Sequence, residues 1–433
     1  MTTLAVAGGR VLRPGHAVVE ADVLVDREAG TILEVGPDLA GDADATLDAT
    51  GGLVIPGLVN AHGHAAMTLL RGFADDLPLD RWLREAVWPV EAELEPADVR
   101  AGTDLAIAEL IRSGTTAFAD MYFHVGAVVD AVAEAGCRAT VGHGVITVGK
   151  DDEAAAADLE EGIAVAREYD GAADGRVRTA LMPHSLTTVS EDVLRDAAAA
   201  AREAGVPVHY HANETRDEVD PIVAERGCRP LEYARDCGLT TVDDFLAHGV
   251  HLDDVEVDLL AETGTGVVHC PASNMKLASG AAPVQALLDA GVPVALGTDG
   301  AASNNDLDLL GEARDAAMVG KLSTGDASAV DAGAVVRMAT AGGADVLGLD
   351  AGRLEAGRAA DLAVVDLDAP HLAPPHDLVS HLAYAASGSD VRHTVCDGRV
   401  LMRDREVLTM DVGAVQRRAT ERARALVERA ETG

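Results

Sequence analysis

Leu53-Val54-Ile55-Pro56-Gly57-Leu58-Val59-Asn60-Ala61-His62-Gly63-His64 decides how the rest of the chain is read. The apolar run Leu53 to Asn60 has the length and composition of a buried strand. In extended backbone alternate side chains share a face, so His62 and His64 project the same way and can grip one metal ion between their imidazoles. A two-histidine clamp at the end of a buried strand is the starting point.

Downstream, strand-like segments recur at Thr116 to Met121, Arg138 to Val145, Arg178 to Met182, Val206 to His211, Asp244 to His248, Gly266 to Cys270 and Val292 to Thr298. Alanine- and acid-rich stretches of helical spacing separate them, among them Val99 to Ser113, Val125 to Ala135, Ala154 to Tyr169, Val193 to Ala204 and Ala282 to Ala290. Strands that alternate with helices pair in parallel, and with the first run there are eight, the number that closes a (β/α)8 barrel. An open doubly wound sheet is the alternative, but no glycine-rich phosphate loop follows any strand.

In such a barrel the C-terminal strand ends open on one face, where active sites lie. Candidate strands one, five, six and eight end in His62 and His64, in His211 with Glu214, in His248, and in Asp299. Three imidazoles and a carboxylate suit Zn²⁺ or Fe²⁺ with a position left for water. Glu214, three residues after His211, stands close enough to shuttle that water's proton without being a ligand. Taken singly, Asp299 also reads as a turn aspartate, His248 as a core histidine and Glu214 as a loop acid. Their common position at strand ends favours a site.

The two chain ends have another character. Short apolar stretches at Leu4 to Ala7, Ala17 to Val25, Thr31 to Val35 and Ala45 to Leu53 predict a small β-unit. After the helical region Ala329 to Leu347, Gly352 to Gly357 leading into Ala359 to Asp366 reads as a hairpin. Val391 to Cys396 and Arg399 to Arg403 read as another, turning at Asp397-Gly398. The expected architecture is α/β: a TIM-type barrel over residues 56–349, with a small composite β-sandwich built from residues 1–55 and 350–411. A segment at about 370–390 returns to the barrel, and 412–433 forms a surface helix.

A net charge of −38 argues against nucleic acid or anionic membrane as partners. The only lysines are Lys150, Lys276 and Lys321. An acidic, lysine-poor, alanine-rich surface points to a halophilic habitat, where dense carboxylates keep a protein soluble in concentrated salt. Five widely spaced cysteines read as reduced thiols, and neither a signal peptide nor a long apolar run is present. A cytoplasmic enzyme is expected.

The motifs Val54 to His64, His211-Ala212-Asn213-Glu214-Thr215, Ala247-His248-Gly249-Val250, Pro271-Ala272-Ser273-Asn274 and Gly297-Thr298-Asp299-Gly300-Ala301-Ala302-Ser303-Asn304-Asn305 resemble the amidohydrolase superfamily. Within it they are most similar to the methylthioadenosine/S-adenosylhomocysteine deaminase group. The resemblance implies one divalent metal, zinc or iron, on His62, His64, His211 and Asp299. It implies catalytic roles for Glu214, His248 and Asp299, and deamination of a purine nucleoside at C6. Trp82 and Glu91 match lid and ribose contacts, His184 a nucleoside contact, and Glu214 also faces the substrate. His143 stands where members that take S-adenosylhomocysteine carry a carboxylate-gripping arginine. With no arginine there and an acidic stretch, Asp151 to Ala157, at the second such position, 5′-methylthioadenosine, 5′-deoxyadenosine or adenosine is the expected substrate. Relatives of this kind are commonly homo-oligomers. A guanine or triazine aminohydrolase or chlorohydrolase is the competing enzyme reading, and an inactive scaffold barrel the non-enzymatic one.

Overall fold

The computed structural model describes residues 2–432, the side chain of Asp42 apart. Met1 and Gly433, the outer ends of the expected first and last segments, lie outside the described residues. Strands β1 (Thr3–Ala7), β2 (Arg10–Leu12), β3 (Val18–Glu20), β4 (Asp22–Asp26), β5 (Thr31–Gly36), β6 (Ala45–Asp48) and β7 (Gly52–Pro56) come first. Those of the barrel follow: β8 (Leu58–Asn60), β9 (Thr115–Tyr122), β10 (Arg138–Val145), β11 (Val177–Thr179), β12 (Met182–Pro183), β13 (His209–Ala212), β14 (Phe245–His248), β15 (Gly266–His269) and β16 (Val294–Leu296). The chain closes with β17 (Leu362–Asp366), β18 (Val391–Cys396), β19 (Arg399–Arg403) and β20 (Glu406–Val407).

The barrel is parallel throughout, in the orders β8-β9-β10-β11 and β13-β14-β15-β16, with β12 also on β10. Parallel bridges Leu181 to Val208 and Ser185 to His211 close one seam. At the other, the Ala61 amide donates to the Leu296 carbonyl at 2.9 Å. The Asn60 side chain reinforces that seam, donating to Thr298 Oγ1 at 2.7 Å and accepting from the Thr298 amide at 2.9 Å. The first and last strands are thus tied together directly beneath His62.

The single run expected from Leu53 to Asn60 divides at Gly57. β7 pairs with β2 and β17 in an end sheet of order β20-β19-β18-β17-β7-β2-β3, whereas β8 belongs to the barrel. Gly57 allows the crossing, because a Cβ there would stand 2.2 Å from Thr116 Oγ1. A second sheet, β5-β4-β1-β6, shares with the first a cluster containing Leu4, Val23, Ile32, Leu47, Val54, Leu362 and Val395. The Arg138 guanidinium joins these strands to the barrel through buried Asp361 (2.8 Å) and Asp397 (2.6 Å).

Two expectations change. Gly352 to Gly357 is no hairpin strand; the Gly357 amide donates to Ile32 O and the Ile32 amide to Arg358 O, both at 2.8 Å, so the loop seals against β5. The C-terminal helix Val412–Thr432 is more than surface decoration. It buries Val415, Ala419 and Leu426 against the helix Pro96–Arg112 and anchors Arg418 and Arg429 on buried Asp104 and Asp98. The Asp397-Gly398 turn forms as expected, with positive φ at both residues (53° and 71°), and joins β18 to β19. No helix among the described residues is long and apolar enough to cross a membrane.

Candidate active site

His62 and His64 follow β8 in a stretch pinned on both sides: the Met121 amide donates to Gly63 O at 3.1 Å, and the Asp299 amide to His62 O at 3.1 Å. Gly297 lets β16 pass under this stretch, where a Cβ would come within 2.9 Å of the His62 backbone and side chain. Ligand-capable atoms of His62, His64 and His211 all lie within 4.8 Å of one another. Asp299 Oδ1 stands 3.5 Å from His62 Nε2 and 3.2 Å from His64 Nε2. Its other oxygen accepts from Ser273 Oγ (2.7 Å) and Ser303 Oγ (2.8 Å), which fix the carboxylate's plane.

Each imidazole of the triad has its Nδ1 engaged: His64 with Met121 O (2.7 Å), His211 with His184 O (2.6 Å), and His62 with His209 Nε2 (2.8 Å). A carbonyl only accepts, so His64 and His211 carry hydrogen on Nδ1 and offer the Nε2 lone pair. His62 Nε2 is buried without a hydrogen-bond partner. A partnerless buried nitrogen beside two further imidazoles and a carboxylate is what a divalent cation satisfies, so the residues fit a metal. Burial alone would raise the Asp299 carboxyl, but His62 and His64 hold it well below the usual range. Burial likewise opposes charge on His64, yet Asp299 pulls it up to about 9. The negative potential that draws a proton here draws a cation equally, with proton release on binding.

Beside this cluster Glu214 Oε2 lies 3.7 Å from His248 Nε2. Burial raises the Glu214 carboxyl, against the pull of His248. His248 is raised because Glu214 and Asp299 outweigh its burial, and its Nδ1 pairs with Asn274 Oδ1 at 2.9 Å. Asn213, His248 and Asp299 all adopt positive φ (56°, 75° and 61°) at the ends of β13, β14 and β16. Such backbone is uncommon outside glycine and concentrates where side chains are aimed at a site.

A cavity of about 1110 Å³ opens over the strand ends, lined by His64, His211, Glu214, His248 and Asp299 and also by Trp82, Glu91, Tyr122 and His184. His62 lies fully buried beneath it. Trp82 is packed into the wall. Glu91 is pushed up to about 7 by burial, partly offset by the Tyr122 hydroxyl, which donates to its Oε1 at 2.8 Å. Burial drags His184 down to about 3, keeping it neutral, and its Nδ1 pairs with Thr188 Oγ1 at 2.9 Å.

His143 is the exception among the expected site residues. The pleat of β10 gives Gly144 to the cavity, and His143 points elsewhere, to Asp158 Oδ1 at 3.1 Å. Asp158 also accepts from the Ile146 amide (2.7 Å) and pairs with Lys150 (2.9 Å). His143 therefore fastens the loop after β10 to its helix, and it already has a carboxylate partner. Two residues were passed over in the sequence: Tyr122, which ends β9 and lines the cavity, and His209, in a second His-X-His, His209-Tyr210-His211, which lies buried behind His62 and outside the cavity. The strand-end rule that found the others applied equally to Tyr122, whereas His209 opens β13 and is reached by the two-residue alternation that pairs it with His211.

A model of the amidohydrolase family matches residues 53–401. The chain is 66% identical over 431 residues to a 5-methylthioadenosine/S-adenosylhomocysteine deaminase of Natronomonas pharaonis, covering 100% of both proteins. It is 44% identical over 410 residues to a 5′-deoxyadenosine deaminase of Methanothermobacter thermautotrophicus, covering 94% of this chain and 95% of the relative. Its structure superposes on that of an adenosine deaminase from Xanthomonas campestris with bound zinc, at a TM-score of 0.92 and 38% identity, over 100% of this chain and 99% of the other. By a match that runs from β7 into β19 and relatives alike along their full length, the chain belongs to the amidohydrolase family.

Proposed function

We propose that this chain is a metal-dependent hydrolytic deaminase. Its substrates are 5′-substituted adenosines: 5′-methylthioadenosine, 5′-deoxyadenosine, adenosine and, more weakly, S-adenosylhomocysteine; the products are the inosine analogue and ammonia. The observation that carries this reading is the Glu214–His248 pair, 3.7 Å apart, beside His62, His64, His211 and Asp299 in one cavity. The substrates named for the relatives are of the same class.

His62, His64, His211 and Asp299 would hold one divalent ion per chain, zinc by the donor set, with iron the alternative. Bound there, the ion would supply a water acidic enough to attack near neutral pH. Glu214, its carboxyl raised by burial, is placed to take a proton from the attacking water and deliver it to N1 of the purine. Protonation at N1 makes C6 electrophilic; C6 becomes tetrahedral, the proton of its new hydroxyl passes to the amino group, and the C6–N bond breaks to release ammonia as the C6 carbonyl forms. His248, braced by Asn274, orients the attacking water. Glu91 accepts from the ribose hydroxyls, Trp82 closes the wall over the base, and neutral His184 contacts the nucleoside.

The cations around the cavity support the preference for substrates without a carboxylate. Arg81 pairs with Glu85, Arg84 with Asp80 and Lys276 with Asp75. Arg216 is the one lining cation with no ionic partner among the described residues, and one exposed guanidinium makes no two-arginine clamp.

We further infer that residues 1–55 and 350–411 form one β-sandwich domain beside a barrel domain of residues 56–349. The shared core of the two end sheets supports this. The helix Leu378–Tyr384, packed on helices Leu309–Thr324 and Ala332–Arg337, supports a return of about 370–390 to the barrel, with 412–433 as a closing helix. A cytoplasmic, halophilic homo-oligomer completes the reading.

The test is ammonia release, in concentrated salt with added zinc, from adenosine, 5′-methylthioadenosine, 5′-deoxyadenosine, S-adenosylhomocysteine and guanine, with chloride release from a chlorotriazine. Nucleosides should react, with S-adenosylhomocysteine last among them. Turnover of guanine or the triazine alone would overturn the proposal.

A further inference from the structure

Of the three imidazoles in the cluster, two are held by backbone carbonyls, which no substitution removes. The third, His62, is held by a side chain, that of His209. His209 is fully buried on β13, its ring stacked on Phe245 with centroids 4.2 Å apart and planes 17° apart. Its Nδ1 lies 3.1 Å from the Phe245 carbonyl oxygen and its Nε2 2.8 Å from His62 Nδ1.

The donors in this chain follow from its ends. Phe245 O can only accept, so His209 carries its hydrogen on Nδ1. A neutral imidazole with hydrogen on Nδ1 presents a lone pair on Nε2, so the 2.8 Å contact is a hydrogen bond donated by His62 Nδ1. With its hydrogen on Nδ1, His62 has a free lone pair on Nε2, the buried nitrogen that lacks a partner and lies 3.5 Å from Asp299 Oδ1. The opposite tautomer of His62 would aim an N–H into the cluster and set two lone pairs against each other at the His209 contact.

We propose that His209 is a positioning residue that fixes the tautomer and ring plane of His62, through the relay Phe245 O to His209 to His62, and thereby sets the affinity of the site for its divalent cation. This rests on the reading of His62 as a metal ligand. His209 touches neither substrate nor cation; Phe245 contributes both the acceptor and the stacking face that hold its ring upright. Outer partners of this kind change metal affinity by about 10- to 100-fold when removed.

The experiment measures zinc affinity of the full chain by chelator competition in concentrated salt, for wild type, His209→Phe and His209→Gln, with circular dichroism to check the fold. Phenylalanine keeps the stacking and loses the acceptor, and zinc affinity should fall by about 10- to 100-fold. Glutamine returns an acceptor to within reach of His62 Nδ1 and should recover most of the loss. Turnover per bound zinc should change by less than about threefold in both variants, since His209 does not touch the reacting atoms. Independently of any variant, ¹⁵N NMR of histidine-labelled wild-type protein freed of metal should report His62 as the Nδ1–H tautomer. A folded His209→Phe protein with wild-type zinc affinity, a glutamine variant no better than phenylalanine, or a His62 Nε2–H tautomer would each overturn the proposal. Wild type that takes up no zinc would overturn it together with the metal reading of the site, whereas the other failures leave that reading standing.

Discussion

Replacing Glu91 by glutamine tests the substrate assignment most directly. Glu91 has one oxygen taken by the Tyr122 hydroxyl at 2.8 Å, and the rest of its carboxylate faces a cavity sized for a nucleoside. A hydrogen bond to a charged acceptor contributes about 1.5 to 3 kcal/mol, against about 1 for a neutral one. Glutamine therefore loses about 0.5 to 2 kcal/mol at each ribose hydroxyl, or about 1 to 4 kcal/mol for two, which is about 5- to 1000-fold in kcat/KM. The assay is ammonia release from 5′-methylthioadenosine and from 2′,3′-dideoxyadenosine by wild type and Glu91→Gln, with metal content matched. The first substrate should suffer the full loss and the second, which lacks both the 2′- and the 3′-hydroxyl, less than about threefold. Equal losses on both would refute the ribose contact. The same residue sets a pH dependence. Because burial pushes Glu91 up to about 7, it is ionised above that pH and becomes the weaker, neutral acceptor below it. KM for 5′-methylthioadenosine should therefore rise as pH falls from 8 to 6, and the limb should flatten in Glu91→Gln. Tyr122→Phe removes a donor that favours the carboxylate, so it should move the limb to higher pH.

Three further outcomes follow from the geometry. Glu214→Gln should cut kcat by about 10²- to 10⁴-fold while zinc content stays at the wild-type level, because the residue moves a proton and is not a ligand; a variant that loses its zinc would contradict that assignment. His143→Gln should leave kcat/KM for every substrate within about twofold and lower stability to urea by about 1 to 3 kcal/mol, since His143 holds Asp158 rather than substrate; selective loss of S-adenosylhomocysteine turnover would restore it as a substrate contact. With a net charge of −38, the melting temperature should climb as KCl is raised from 0.1 to 2 M, where screening shrinks to a few ångströms, and an unchanged melting curve would count against a halophilic surface.

Much of the candidate site was legible because its signals are local. His62 and His64, His211 and Glu214, His248 and Asp299 end apolar segments, and in a parallel barrel every strand end opens on the same face, so position along the chain stands in for position in space. The same reasoning would have taken in Tyr122, which ends β9, and the alternation of strand side chains would have taken in His209, which shares a face of β13 with His211.

Other features depended on contacts between distant segments. Gly142-His143-Gly144 is symmetrical about the histidine, so nothing within β10 says which parity faces the cavity; packing chose Gly144 and turned His143 to Asp158. The loop Gly352 to Gly357 carries a hairpin's local pattern, but its hydrogen bonds went to Ile32, more than three hundred residues earlier in the chain. The division of Leu53 to Asn60 at Gly57 needed Thr116 alongside it and β17 to pair with β7. The sequence by itself determined which residue types arrive at the strand ends, because strand period and apolar pattern are properties of neighbouring residues. Which face each strand turns inward, and which partner holds each imidazole, were decided only in the tertiary structure, because those choices minimise the cost of burying polar groups across segments that are adjacent in space alone.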